Sequence, residues 1–460
     1  MLREDGSPPL YYLLLAVWTR LFGTGEQATH ALSLTFALLA IPAAFWVADA
    51  IFGRRAAWIA ALLATVSPFL TGYAQETRMY TLVMLLCLLA AGALVRAFVF
   101  GERRFLVLLW LTLVLLLYTH GWSVFFCVGV AVATAICLRS SADARGLRDA
   151  LLVAAATLAA FAPWLPTFLF QARHTGAPWS DPPSFHTLLS APSSALYGDG
   201  PTMVLLLAAG SGLVAVLRTR RASTSRTAIL ALIGLTIASL ATAWIASRIS
   251  PAWASRYLAI VLGPLILLAA AGLARAGRLG LVGLALVLVY WTTDQPSADK
   301  SNVREVAAAL QDDVRPGDLV LSTQPEQVPV IAHYMPKGLR YATLTGPVRD
   351  PYVMDWRDAV ERVNRANPAT TFAPLLARQP PGSRVVVIAP VFRDYRAWKA
   401  EWTRLVYFDS LWWSSFLDSD PRFVHSSSVV FDEIAQMRRF FKPVRADVYT
   451  KRPQGRSGTG

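Results

Sequence analysis

Charge and cysteine are what this chain has least of. Only 16% of its 460 residues are charged, where a soluble domain carries about 25%. Together with 55% hydrophobic residues and a mean hydropathy of +0.44, that shortage excludes a soluble globular protein. It leaves a polytopic membrane protein. The three cysteines, Cys87, Cys127 and Cys137, all lie inside apolar runs. This placement excludes a disulfide framework or a metal-binding spacing, and they read as small buried apolar side chains. The chain opens without the charged and apolar regions of a secretory signal. It also lacks GxGxxG, P-loop, HExxH and CxxC motifs and any internal repeat.

The net charge of +14 would point to nucleic acid in a soluble protein. Here the arginines cluster in short loops between apolar runs, so orientation in a membrane accounts for them and no nucleic-acid partner is expected. Anionic lipid is a second, compatible cause.

Apolar runs predict about ten spans, at 31–51, 56–72, 79–99, 105–119, 122–138, 149–165, 201–217, 228–246, 257–273 and 279–292. The run Pro8–Phe22 is too short to cross and is broken by Arg20, so it reads as a juxtamembrane helix opened by Pro8-Pro9. Arg54-Arg55, Arg103-Arg104, Arg139 to Arg148, Arg218 to Arg226, and Arg275 with Arg278 then fall in alternate loops. That face is expected to be cytoplasmic. The opposite face holds residues 1–30, the stretch around 73–78, His120-Gly121, loops 166–200 and 248–256, and everything after 292.

On that outer face sits the most informative stretch, Ser67 to Tyr80. Tyr73, Gln75, Glu76, Arg78 and Tyr80 fall between two apolar runs. Polar groups at a span end are costly and commonly functional. If the stretch is helical, Tyr73, Glu76 and Tyr80 share a face, with Arg78 on its flank. A capped helix end is the plainer alternative, with Glu76 favoured by the helix dipole. Arg248 and Arg256 flank a Pro-Trp turn and break the charge bias of the outer loops. As a pair they would suit a phosphate, or they would snorkel to headgroups.

Composition changes after Trp291. Residues 296–450 alternate helix and strand signals: a helix at Ser301–Leu310, strands at Asp318–Ser322 and Val385–Ala389, and a helix at Arg396–Val406. That alternation predicts a small α/β domain, followed by a disordered tail at 451–460 rich in Gly, Ser and Arg. The expected architecture is therefore mostly α. An outer loop and juxtamembrane helix occupy 1–30, a transmembrane bundle 31–295, and a C-terminal extracytoplasmic α/β domain the rest.

Several spaced motifs resemble one family. Ser7-Pro-Pro-Leu-Tyr-Tyr-Leu-Leu-Leu15 with Trp18 and Leu21-Phe-Gly23, Ser67-Pro68 with Tyr73-Ala-Gln-Glu-Thr-Arg-Met-Tyr80, Tyr118-Thr-His120, and Arg256-Tyr257 are similar to segments of bacterial GT-C membrane glycosyltransferases. The likeness is to the branch of protein O-mannosyltransferases and aminoarabinose transferases, and it covers about residues 5–290. It implies transfer of a sugar from a polyprenyl-phosphate donor to a lipid, glycan or protein acceptor at the outer face of the cytoplasmic membrane. The implied substrate-binding residues are Tyr11, Tyr73, Gln75, Glu76, Arg78, Tyr80, His120, Arg248, Arg256 and Tyr257.

In that family an N-terminal span and an acidic residue precede the PPLYY segment. The chain as given starts downstream of both, so it reads as N-terminally truncated, and Glu4 and Asp5 become the candidate catalytic acids. The sequence specifies no cofactor with certainty; Glu76 and His120 are the candidate ligands for a divalent metal. A non-catalytic scaffold or lipid-sugar-binding protein on the same fold is the alternative. A transporter would carry midplane charges and paired broken helices, whereas these charges gather at one face.

Overall fold

A computed structural model describes residues 2–141, 144–218, 223–293, 300–392, 400–431 and 443–453. The chain divides into two units. One comprises Ser7–Phe170 and Pro182–Pro296; the other comprises Met1–Gly6, Gln171–Asp181 and Ser297–Gly460.

The first unit is helical. Among the described residues, six helices are long and apolar enough to cross a membrane: Glu26–Phe52, Tyr80–Phe98, Ser123–Ser140, Asp199–Leu217, Thr224–Ile249 and Ser255–Arg275. Two bent pairs, Arg54–Val66 with Pro68–Ala74 and Arg145–Phe161 with Leu165–His174, raise the number to eight if each is one span. Leu10–Phe22, Phe105–Leu117 and Gly277–Thr293 are shorter apolar helices. Every stretch expected to span thus falls on apolar helix, but four of the ten are bent or short. In the two bent pairs proline stands at the break, at Pro68 and at Pro163 and Pro166, and a hydropathy run does not register where proline breaks the backbone.

Two helices form the centre. Tyr80–Phe98 and Ser255–Arg275 are each 83% buried over their most apolar window, against 33–50% for the other long helices. Those others leave large apolar side chains such as Leu206 and Leu207 outside, as lipid contact requires. Close approach of backbones holds the bundle. A Cβ on Gly212 would lie 2.0 Å from the carbonyl oxygen of Gly272, so this crossing needs glycine on both helices. Arg103 clasps the buried carboxylate of Asp149 through Nε at 2.7 Å and Nη2 at 2.5 Å, a forked pair that ties two helix ends together.

The second unit is built on a six-stranded sheet: β1 (Leu319–Ser322), β2 (Arg340–Thr343), β3 (Gly346–Pro347), β4 (Arg384–Pro390), β5 (Phe423–Val429) and β6 (Val444–Lys451), in the order β3-β2-β1-β4-β6-β5. The central β2, β1 and β4 are parallel, and β3, β6 and β5 pair antiparallel. Alternation splits the core. Leu319, Leu321, Val385 and Val387 pack on one face with Trp402 and Trp413, while Val320, Val386 and Ile388 pack on the other with Val303 and Val306. Both faces are covered, so β1 and β4 read as unbroken apolar runs.

The helix expected at Ser301–Leu310 is Val303–Leu310. The expected later helix is Glu401–Asp418; the part of that expectation at 396–399 lies outside the described residues. The Trp-rich segment Leu411–Phe416 lies on this helix. Trp413 is buried and stacks on Phe372 at 5.3 Å, while Trp412 is exposed.

Candidate functional site

The stretch 67–80 is not one helix. Ser67 takes an extended conformation (φ −57°, ψ 118°) ahead of Pro68, which opens a new short helix bent 47° from the previous one. A residue before proline avoids the helical region, and proline has no N–H to continue the ladder. The short helix ends at Ala74. Gln75 follows it, and its side-chain amide donates to the Thr71 carbonyl at 3.0 Å. Residues 75–79 form a tight turn in which the Arg78 N–H donates to the Glu76 carbonyl at 2.8 Å. The next helix starts at Tyr80. The shared helical face expected for Tyr73, Glu76 and Tyr80 therefore does not form. The turn itself folds Tyr73 against Tyr80, with ring centroids 4.9 Å apart.

Ser33, a residue the sequence reading passed over, pins this turn. Its hydroxyl donates to the Arg78 carbonyl at 3.1 Å and so accepts from the Tyr11 hydroxyl at 2.7 Å. Its own carbonyl accepts from Thr81 Oγ1 at 3.0 Å. Tyr11 is fully buried, so it acts on the site through Ser33. A lone serine in an apolar helix carries no sequence signal for such a contact 45 residues away.

Two further segments complete the cluster. The turn His120–Trp122 joins the helices Phe105–Leu117 and Ser123–Ser141. The 3-10 turn Ser255–Leu258 leads into the central helix Ala259–Arg275. Tyr257 is the hub, with ring centroids 4.7 Å from His120, 5.1 Å from Trp122 and 6.3 Å from Tyr80. Trp122 also packs on Trp253 at 5.3 Å. The Arg256 guanidinium lies over the Tyr257 ring at 5.2 Å, and that of Arg78 lies 5.9 Å from the Tyr80 ring. Cations over aromatic faces keep their charge with little hydration to lose. Tyr197, at a left-handed φ of 54°, hydrogen bonds with Tyr73. Such a conformation is strained for a tyrosine and is sustained by surrounding contacts.

The structure thus brings together Tyr73, Arg78, Tyr80, His120, Arg256 and Tyr257, with Glu76 in electrostatic reach of Tyr73 and Tyr197. Arg248 donates to the Pro183 carbonyl at 3.4 Å, whereas Arg256 belongs to the aromatic cluster. Trp122, Trp253 and Tyr197 are additions. Isolated aromatics in loops are too common to single out from sequence.

His120 sits in a buried turn. Burial, and then the positive charges of Arg78 and Arg256, push its imidazole down to about 3. The ring is therefore neutral. Its Nδ1 accepts the backbone N–H of Trp122 at 3.1 Å, which places the proton on Nε2. The indole N–H of Trp122 and the hydroxyl of Ser123 are buried and have no hydrogen-bond partner among the described residues. Each such group costs about 1–3 kcal/mol. For a metal on Glu76 and His120, no group of three His, Cys, Asp or Glu comes together among the described residues.

Glu4 and Asp5 lie in the second unit, on the helix Leu2–Asp5. There Arg357 grips Asp355 with two bonds of 2.8 and 2.9 Å and reaches Glu4 Oε1 at 3.3 Å. The Glu4 carbonyl accepts from Trp356 N–H at 2.8 Å. Burial works against the Asp355 charge, but the bonds from Arg357 hold its carboxyl below the usual range. Glu4, Asp355 and Arg357, with Thr343, Arg362 and Trp402, line a cavity of about 320 Å³.

No family model matches the chain, and no curated protein matches it. Among solved structures, it is similar to ArnT from Cupriavidus metallidurans in the apo state, with a TM-score of 0.55 and 15% identity over 85% of this chain and 86% of that one. It is also similar to the same protein bound to undecaprenyl phosphate, with a TM-score of 0.52 and 14% identity over 84% and 83%. At this identity the likeness is one of fold. The chain is a multi-pass membrane protein that shares the fold of ArnT.

Proposed function

We propose that the chain is a glycosyltransferase that moves a sugar from a polyprenyl-phosphate donor to an acceptor at the outer face of the cytoplasmic membrane. The observation that carries this reading is the patch formed by Arg78, Arg256, Tyr73, Tyr80 and Tyr257 at the ends of membrane helices. A lipid-linked phosphate needs fixed cations at just such a depth, beside apolar surface for its tail. The fold shared with a protein bound to undecaprenyl phosphate supports the same class of donor.

In the reaction, the bond between the anomeric carbon and the phosphate oxygen breaks, and the oxygen keeps the electron pair. An acceptor oxygen forms the new bond and gives its proton to a carboxylate. Arg256 neutralises the charge growing on the phosphate. Arg78 and Glu76 shape the patch around it. Glu4 and Asp5 are the proposed proton acceptors. A double variant, Glu4→Ala with Asp5→Ala, that keeps full transfer would remove them from that role.

A second reading has one observation in its favour. Glu4 Oε1 already accepts a hydrogen bond from Arg357 at 3.3 Å, so it is engaged within its own unit. On that reading the chain binds a lipid-linked sugar without transferring it. Purified protein in nanodiscs, given polyprenyl-phosphate sugar and extracted acceptor lipids and glycans, separates the two. Labelled product supports the enzyme; saturable binding with no product supports the binding protein.

A further inference from the structure

The turn between the helices Phe105–Leu117 and Ser123–Ser141 carries buried polar side chains. Its backbone is already satisfied. The N–H groups of Ser123, Val124 and Phe125 donate to the carbonyls of His120, Gly121 and Trp122, and that of Trp122 donates to His120 Nδ1. What is left over is on the side chains. Trp122 is 5% exposed and Ser123 is 0% exposed, and neither the indole N–H nor the hydroxyl has a partner among the described residues. His120, 8% exposed, has its acceptor nitrogen occupied and so offers only Nε2–H. Three neighbouring residues therefore present neutral donors. In natural proteins buried donors are almost always satisfied, and a group of them left open calls for an acceptor from outside the chain.

The surroundings say which acceptor. The Tyr257 ring packs on both His120 and Trp122 and carries the Arg256 guanidinium over its face at 5.2 Å. A positive charge thus stands one ring away from these three donors. A neutral hydroxylated ligand would need acceptors as well as donors, whereas ionised phosphate oxygens need only donors and charge.

We propose that the side chains of His120, Trp122 and Ser123 bind the phosphate oxygens of the polyprenyl-phosphate group, beside Arg256. This rests on the glycosyltransferase reading above and deepens it. The cradle is fixed and uncharged, so its bonds strengthen as the sugar leaves and the phosphate gains negative charge.

The test uses the full chain in nanodiscs, with undecaprenyl phosphate, undecaprenol and inorganic phosphate as probes. Trp122→Phe keeps the ring and removes the N–H; Ser123→Ala removes the hydroxyl. Each is expected to weaken undecaprenyl phosphate binding about tenfold, the loss of one charge-assisted hydrogen bond, and to leave undecaprenol binding unchanged. Ser123→Ala is also expected to raise the melting temperature of the ligand-free protein, because it removes an unsatisfied buried group. Inorganic phosphate competing equally well would overturn the lipid source. Variants that discriminate phosphate from alcohol as well as the wild type does would overturn the cradle alone. A wild type that does not discriminate would overturn the underlying reading as well.

Discussion

The hydroxyl of Ser33 donates to the carbonyl oxygen of Arg78 at 3.1 Å while accepting from Tyr11, and so fixes the turn that presents Arg78. Ser33→Ala leaves the buried Tyr11 hydroxyl without its acceptor. The expected cost is about 1–3 kcal/mol of stability, read as a lower melting temperature. Tyr11→Phe removes the donor, leaves Ser33 its Arg78 bond, and should cost less, about 1 kcal/mol. The ordering of the two variants is the informative result.

His120 gives a pH prediction. Its folded-state value is depressed to about 3 by burial, with Arg78 and Arg256 adding to the effect, against about 6.5 when unfolded. Between those values the unfolded chain binds the extra proton. Stability therefore falls as pH drops from about 6.5 towards 3, and the contribution is complete above 6.5. His120→Gln should show a smaller fall in melting temperature between pH 7.5 and 5 than the wild type. An equal fall in both would mean that the imidazole titrates normally.

Asp409 works the other way. Burial raises its carboxyl to about 6, so the folded state carries a cost above that pH which is absent below about 4. Asp409→Asn should raise the melting temperature at pH 8 and leave it unchanged at pH 4. Thermal scans at the two pH values decide it.

The helix crossing at Gly212 and Gly272 has no room for a side chain, since a Cβ on Gly272 would lie 2.2 Å from the Ala209 carbonyl oxygen. Gly272→Ala is expected to cost about 1–3 kcal/mol by overpacking. Gly210→Ala, with nothing within 4 Å, should be close to neutral. Melting temperatures of the two in detergent give the comparison.

The places where sequence reading worked and failed have physical causes. Apolar runs such as Tyr80–Phe98 announce themselves because the bilayer demands a continuous length of them. The strands Leu319–Ser322 and Arg384–Pro390 do so because both sheet faces are covered. The polar residues at 73–80 stood out because charged groups and phenols crowd into one short stretch between apolar runs, and 120 and 256–257 because they carry the same family resemblance. Their arrangement was not legible. The break at Gln75–Met79 depends on Pro68 and on Ser33 pinning Arg78, and Ser33 is 45 residues away in the chain. The contact of Arg248 with the Pro183 carbonyl spans 65 residues of chain and was not legible either. Trp122 and Ser123 look like ordinary residues at a helix start until their burial without partners is seen.

The account rests on Arg256 as the fixed cation for a departing lipid phosphate. The most direct measurement is transfer of labelled sugar from polyprenyl phosphate by the reconstituted chain, comparing wild type, Arg256→Lys and Arg256→Ala. Transfer by the wild type, a loss of about 100-fold or more in Arg256→Ala, and partial retention in Arg256→Lys are predicted. Transfer by Arg256→Ala at the wild-type rate would contradict the account.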